Sequence, residues 1–123
     1  PGLFRAVLHG PNSFTVSLAN AQALVQRFAT SPLNGVIIDY SDCTLGHSMG
    51  QYGEIARTFG VGLPAGLPFA YAHNPRQLAH VMFMTRLLVE QGLQARAFPD
   101  PDAALNWAVE AGTDWRERQE RAA

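Results

Sequence analysis

Two spacings of apolar residues alternate along this chain, and their alternation predicts its architecture. Residues 3–9, LFRAVLH, show the loose in-and-out pattern of a strand, with Gly10-Pro11-Asn12 as the breaker behind it. Residues 14–17 read either as a short second strand or as the lead-in to a helix capped by Thr15 or Ser17. Over residues 19–30, Ala21, Leu24, Val25 and Phe28 recur at helical spacing. Ser31-Pro32 ends that helix, because the residue before a proline avoids the α region. Gly35 then opens Val36-Ile37-Ile38, a short β-branched run suited to a sheet covered on both faces.

Behind Gly50 a helix is predicted to about Phe59, with Tyr52, Ile55, Ala56 and Phe59 as its apolar stripe. The Gly- and Pro-rich residues 60–68 read as an irregular loop, and residues 67–72, LPFAYA, as the next strand. Asn74-Pro75 is a helix start with Asn as N-cap and Pro at the first helical position. That helix is expected to reach Gln91, with Gly92 as its left-handed cap. Residues 93–98 form the last strand and 100–111 the last helix, with Ala104, Leu105, Ala108 and Val109 facing in. Strands alternating with helices from Val36 onward imply right-handed crossovers and a parallel core. The first strand is expected as an antiparallel edge. The fold class is therefore α/β, a single domain over residues 1–112 with a sheet of about 4–5 mostly parallel strands. A charged, frayed helical tail over residues 113–123 follows, anchored by Trp115.

Composition narrows the function. At 123 residues, 47% hydrophobic and 15% charged, the chain can bury one core and is not disordered. A formal net charge of −1 gives no electrostatic attraction to nucleic acid. All nine basic residues are Arg, which excludes a Walker lysine, a Schiff-base lysine and a Ser-Lys dyad. The single Cys43 forms no intramolecular disulfide and no multi-cysteine zinc cage, in keeping with a reducing cytoplasm. No run has the length of a membrane span. An opening on Pro1 without Met reads as a trimmed N-terminus.

The candidate chemistry concentrates in residues 36–50, VIIDYSDCTLGHSMG, a buried strand ending in Asp39, a polar loop, and Gly46-His47-Ser48-Met49-Gly50 at the start of the next helix. Those five residues match the G-x-S-x-G nucleophile elbow of esterases. Against catalysis stand five residues, Ser41 to Leu45, between the strand and the motif, and the absence of any His after His80. The alternative is that Ser48 caps the helix, with Gly46 and Gly50 as turn and close-packing residues.

Read from the strand, the same stretch resembles the signature of STAS domains, the sulfate-transporter and anti-sigma-factor-antagonist family. Val36-Ile37-Ile38-Asp39 matches the family's strand and its Asp, and Ser48-Met49-Gly50 its Ser-small-Gly, with His47 in place of the usual Asp. Arg96-Ala97-Phe98-Pro99-Asp100 leading into Ala103-Ala104-Leu105 is similar to the close of SpoIIAA-like proteins. The resemblance implies a SpoIIAA-like, non-enzymatic regulatory module that needs no cofactor. It implies that Ser48, flanked by His47 and Gly50, accepts a phosphate from a partner kinase or meets an anti-sigma-like protein.

A second reading is a small-molecule or lipid-binding domain. In a parallel sheet Asp39, Asp42 and His73 share the carboxyl-terminal edge, where open α/β sheets hold ligands, and His47 joins their rim. The chain's His residues lack metal-ligand spacing, so no metal is expected. Residues 60–68 are expected to cover an apolar patch or line a cavity, as in the CRAL-TRIO lipid binders, an analogy of fold alone. The helix from Asn74 is apolar around more than one face, so Met82, Phe83 and Met84 are candidates for a homodimer surface.

Overall fold

The computed structural model describes residues 2–45 and 47–122, without the side chain of Leu45. The chain winds through four successive strand-helix units: β1 (Leu3–Asn12), α1 (Phe14–Thr30), β2 (Gly35–Leu45), α2 (Met49–Gly62), β3 (Pro68–Ala72), α3 (Leu78–Glu90), β4 (Gln94–Phe98) and α4 (Pro101–Ala122). A single 3-10 turn, Pro75–Gln77, leads into α3. The strands lie in the order β1-β2-β3-β4, and each neighbouring pair is parallel.

The antiparallel first strand is thus corrected. A helix links β1 to β2, and such a crossover returns the chain in the same direction. Residues 14–17 belong to α1, whose N-cap is Ser13, with its hydroxyl accepting from the Val16 amide. Thr15 and Ser17 therefore lie inside the helix.

The two faces of the sheet differ in depth. On one, Val36 and Ile38 of β2 and Phe69 and Tyr71 of β3 meet α1, α2 and α3 through Leu24, Phe59 and Leu88. On the other, Ile37, Ala70 and Ala72 meet only α4, through Ala104 and Ala108. Small residues on both sides let α4 lie close, and a Cβ on its Gly112 would reach 3.1 Å from the Asn34 carbonyl. All five residues of β3 are buried, as a central parallel strand requires.

Four element ends run past expectation. β2 runs through Ser41 to Leu45, which the sequence reads as a loop. A bulge sets two residues of β2, Tyr40 and Ser41, opposite Leu8, and β1 then continues past Gly10-Pro11 with His9 beside Asp42 and Asn12 beside Leu45. Beyond Ala72 no third strand among the described residues pairs with this ribbon. Side chains take over: Asn74 Nδ2 donates to the Ser41 carbonyl at 2.9 Å, and Gln77 Nε2 donates to the carbonyls of Tyr40 and Cys43. α2 continues to Gly62 instead of ending at Phe59. α4 continues without a break from the body of the domain to Ala122, and Trp115 Nε1 donates to the Ala65 carbonyl at 3.1 Å.

Residues 60–68 border neither of the cavities described below. Gly60 and Gly62 close α2 against Gln91 and Val25, while Leu63 and Leu67 are core residues. Gly50, read as a close-packing residue, has open space where a Cβ would stand; the turn role of Gly46 lies outside the described residues. The same substitution therefore has opposite signs at two ends of α2. Gly50→Ala should raise stability by about 0.5–1 kcal/mol, since alanine restricts the unfolded chain and favours helix. Gly62→Ala should lower it by about 1–3 kcal/mol, because the new methyl overlaps the stiff Val25 side chain. Chemical denaturation of both variants checks the pair.

Candidate functional site

The amino-terminal ends of α1 and α2 and the turn before α3 all sit at the carboxyl edge of the sheet, because each follows a parallel strand. Ser48 is the N-cap of α2. Its hydroxyl accepts from the Gln51 amide at 3.2 Å, and its own amide donates to Gln51 Oε1 at 2.9 Å, a reciprocal capping box. The Ser48 side chain is exposed, as are Met49 and Gly50 beside it.

No imidazole serves Ser48. The neighbouring His47 ring turns inward, and its Nε2 lies 2.9 Å from the hydroxyl of Ser17, a buried residue of α1. Phe14 and Tyr52 meet the same ring edge-on at centroid distances of 6.4 and 5.1 Å. Burial, followed by the nearby His80, holds the His47 imidazole below its ordinary value, so it is neutral at pH 7 and carries one donor and one acceptor nitrogen. The hydroxyl of Tyr52 lies 3.0 Å from His80 Nδ1. The elbow geometry an esterase needs would put a base on Ser48; here both nearby imidazoles bond other hydroxyls.

Behind this shell is a small cavity of about 20 Å³, bounded by Tyr40, His47, Tyr52, Tyr71 and His80. That is room for one water. Tyr40 and Tyr71 stack at 5.2 Å, and burial pushes both phenols well above their usual range. Among the described residues the Tyr71 hydroxyl makes no hydrogen bond of good geometry.

Tyr40 and Ile55 also border a larger groove of about 330 Å³ between α1 and the β1–β2 half of the sheet. Phe4, Ala6 and Leu8, alternate residues of β1, form its floor with Ile38. Ser17, Asn20, Ala23, Leu24 and Arg27 overhang it from α1, and Phe59 closes the back.

The three edge residues are not joined. Asp39 is buried, and its Oδ1 accepts from the amide and hydroxyl of Ser41 at 2.9 and 2.5 Å, which holds the bulge. Asp42 is exposed and contacts His9 Nδ1 at 2.8 Å. His73 is buried, and its Nδ1 donates to the Asn74 carbonyl at 2.9 Å. Among the described residues no three His, Cys, Asp or Glu side chains are grouped to hold a metal ion. Of the proposed dimer residues only Met82 is exposed. Phe83 packs edge-on against Tyr52 at 6.0 Å, and Met84 lies in the core.

Ser17, read from the sequence only as a possible helix cap, and Arg27 are given no site role by the sequence. Ser17 did leave a trace: it stands four residues before Ala21 on the stripe that continues to Leu24, a polar side chain on a buried face. Compared with protein-family models, curated proteins and solved structures, the chain gives no match. Among the described residues no helix is long and apolar enough to cross a membrane.

Proposed function

We propose that this chain is a non-enzymatic, SpoIIAA-like regulatory module in which phosphorylation of Ser48 by a partner kinase switches a protein contact. The observation that carries the reading is the exposed hydroxyl of Ser48 at the amino-terminus of α2. A phosphate there adds about −1.5 to −2 charges where backbone amides and the helix dipole favour an anion. It would stand beside exposed Met49, so the modification changes the charge of a surface with apolar character. The sequence resemblance and the four strand-helix units in the order 1-2-3-4 support the same reading.

The test is phosphate incorporation from ATP into the full chain by an extract of its source cells, with the labelled residue mapped by mass spectrometry. Label is expected on Ser48 and its loss in Ser48→Ala; label confined to other residues, or none, overturns the reading. Ser48→Ala should also lose about 1 kcal/mol by removing the cap, whereas Ser48→Asp keeps it. Loss of label in both variants is then separable from loss of stability.

A further inference from the structure

The groove beneath α1 has a chemistry of its own. It runs from Ser17 to Arg27, ten residues of helix, or about 15 Å at 1.5 Å per residue. Its volume of about 330 Å³ falls at the small end of the range for ligand pockets, roughly 300–1,000 Å³. Its floor and back are apolar.

Its charge is one-sided. Arg27 is the only charged residue of α1, and no Asp or Glu lines the groove. The Arg27 guanidinium stands 5.7 Å over the Phe4 ring at the amino-terminal end of β1. That stacking fixes the head of the side chain at the mouth of the groove while leaving its N–H donors at the edge. Among the described residues Arg27 enters no ion pair. A fixed guanidinium at the end of an apolar trough suits a planar anion with a hydrocarbon body.

We propose that this groove binds a linear amphipathic carboxylate, with the carboxylate on Arg27 and the hydrocarbon chain lying along Phe4, Ala6 and Leu8 towards Ser17. An extended chain of ~1.5 Å carbon–carbon bonds advances about 1.25 Å per carbon, so about twelve carbons fill the 15 Å trough. The Ser17–His47 pair marks the far end, where a methylene chain would meet polar groups. This site is separate from Ser48 and does not rest on its modification.

Calorimetric titration of the full chain with dodecanoate, below its micelle concentration, tests the proposal beside dodecan-1-ol and dodecylamine. Saturable binding of one dodecanoate per chain is expected. Arg27→Gln should weaken it by about tenfold or more, the scale of a charge-assisted hydrogen bond, and leave dodecan-1-ol unaffected. Ala23→Phe, at an exposed position on the groove's rim, should fill the trough and abolish uptake; a retained melting temperature shows that the variant is folded. Three results would overturn the proposal: no saturation, dodecylamine bound as tightly as dodecanoate, or binding indifferent to both substitutions. So would sedimentation showing a dimer that Ala23→Phe disrupts while dodecanoate is not taken up, because the groove's occupant is then a second copy.

Discussion

Gln77→Leu should cost about 3 kcal/mol, more than the loss of any single surface contact, although it replaces one side chain in a 3-10 turn. Gln77 is buried, and all its polar atoms are committed. Nε2 donates to the Tyr40 and Cys43 carbonyls, and Oε1 accepts from the Asn74 amide at 3.1 Å. Leucine has a similar volume and removes all three bonds, leaving main-chain groups beneath the turn without partners. Each such group costs roughly 1–3 kcal/mol if it stays buried. The alternative is that the outer end of β2 frays into water, which caps the loss near 1 kcal/mol. Denaturant titration with amide exchange separates the two. A loss of about 3 kcal/mol with exchange at residues 40–45 still slow means the ribbon stays docked. A loss near 1 kcal/mol with fast exchange confined to that ribbon would show that the ribbon frays without Gln77 and refute the larger cost, while a loss below 1 kcal/mol with exchange still slow would refute Gln77 as its anchor. The segment matters because it carries the chain from the sheet to Ser48.

This dependence explains what could be read from the sequence and what could not. β3 was legible because a short apolar run between Gly66 and Asn74 has few alternatives, and the start of α3 because Asn-Pro fixes both cap and first turn. The outer half of β2 was not. Ser41, Asp42 and Thr44 are polar, and their segment is held between the far end of β1 on one side and Asn74 and Gln77, more than thirty residues away, on the other. α2 overruns Phe59 because the glycines that look like breakers are what permit the approach of Val25 and Gln91. Trp115 reads from the sequence as an anchor, but its partner, the Ala65 carbonyl in the loop before β3, lies fifty residues away. Local pattern contains none of these contacts.

The site divides the same way. Ser48 reads from the sequence as a helix cap, and the structure has that cap, with Gln51 as a reciprocal partner that the sequence reading does not name. The inward turn of His47 depends on Ser17, thirty residues earlier, and no spacing rule connects them. Asp39, Asp42 and His73 read from the sequence as sharing one edge of the sheet, but position along strands does not say which partner each side chain meets. The bulge at Leu8 separates Asp39 from Asp42: one is drawn into the bulge by Ser41, the other is left beside His9.

The largest loss should come from Phe69→Ala, about 3–5 kcal/mol, a large part of the roughly 5–15 kcal/mol by which domains are stable. Phe69 is fully buried on β3. Its ring meets Phe59 at 4.9 Å and Tyr71 at 5.2 Å, and through Tyr71 the stack reaches Tyr40. Truncation removes aromatic area from the face where α1, α2 and α3 converge, and three packed helices cannot close the void together. Phe98→Ala on edge strand β4 is the control. That ring is 9% exposed and meets Trp107 of α4 and the guanidinium of Arg96 in place of a stack of buried rings, so a loss of only about 2–3 kcal/mol is expected, at or below the low end for an aromatic truncation. Equilibrium denaturation of both variants checks the order. If Phe98→Ala proved the costlier, stability would reside in the thin α4 face and not beneath α1–α3. The Ser17–His47 pair and the groove would then rest on the weaker half of the molecule, and their fixed geometry would lose its physical basis.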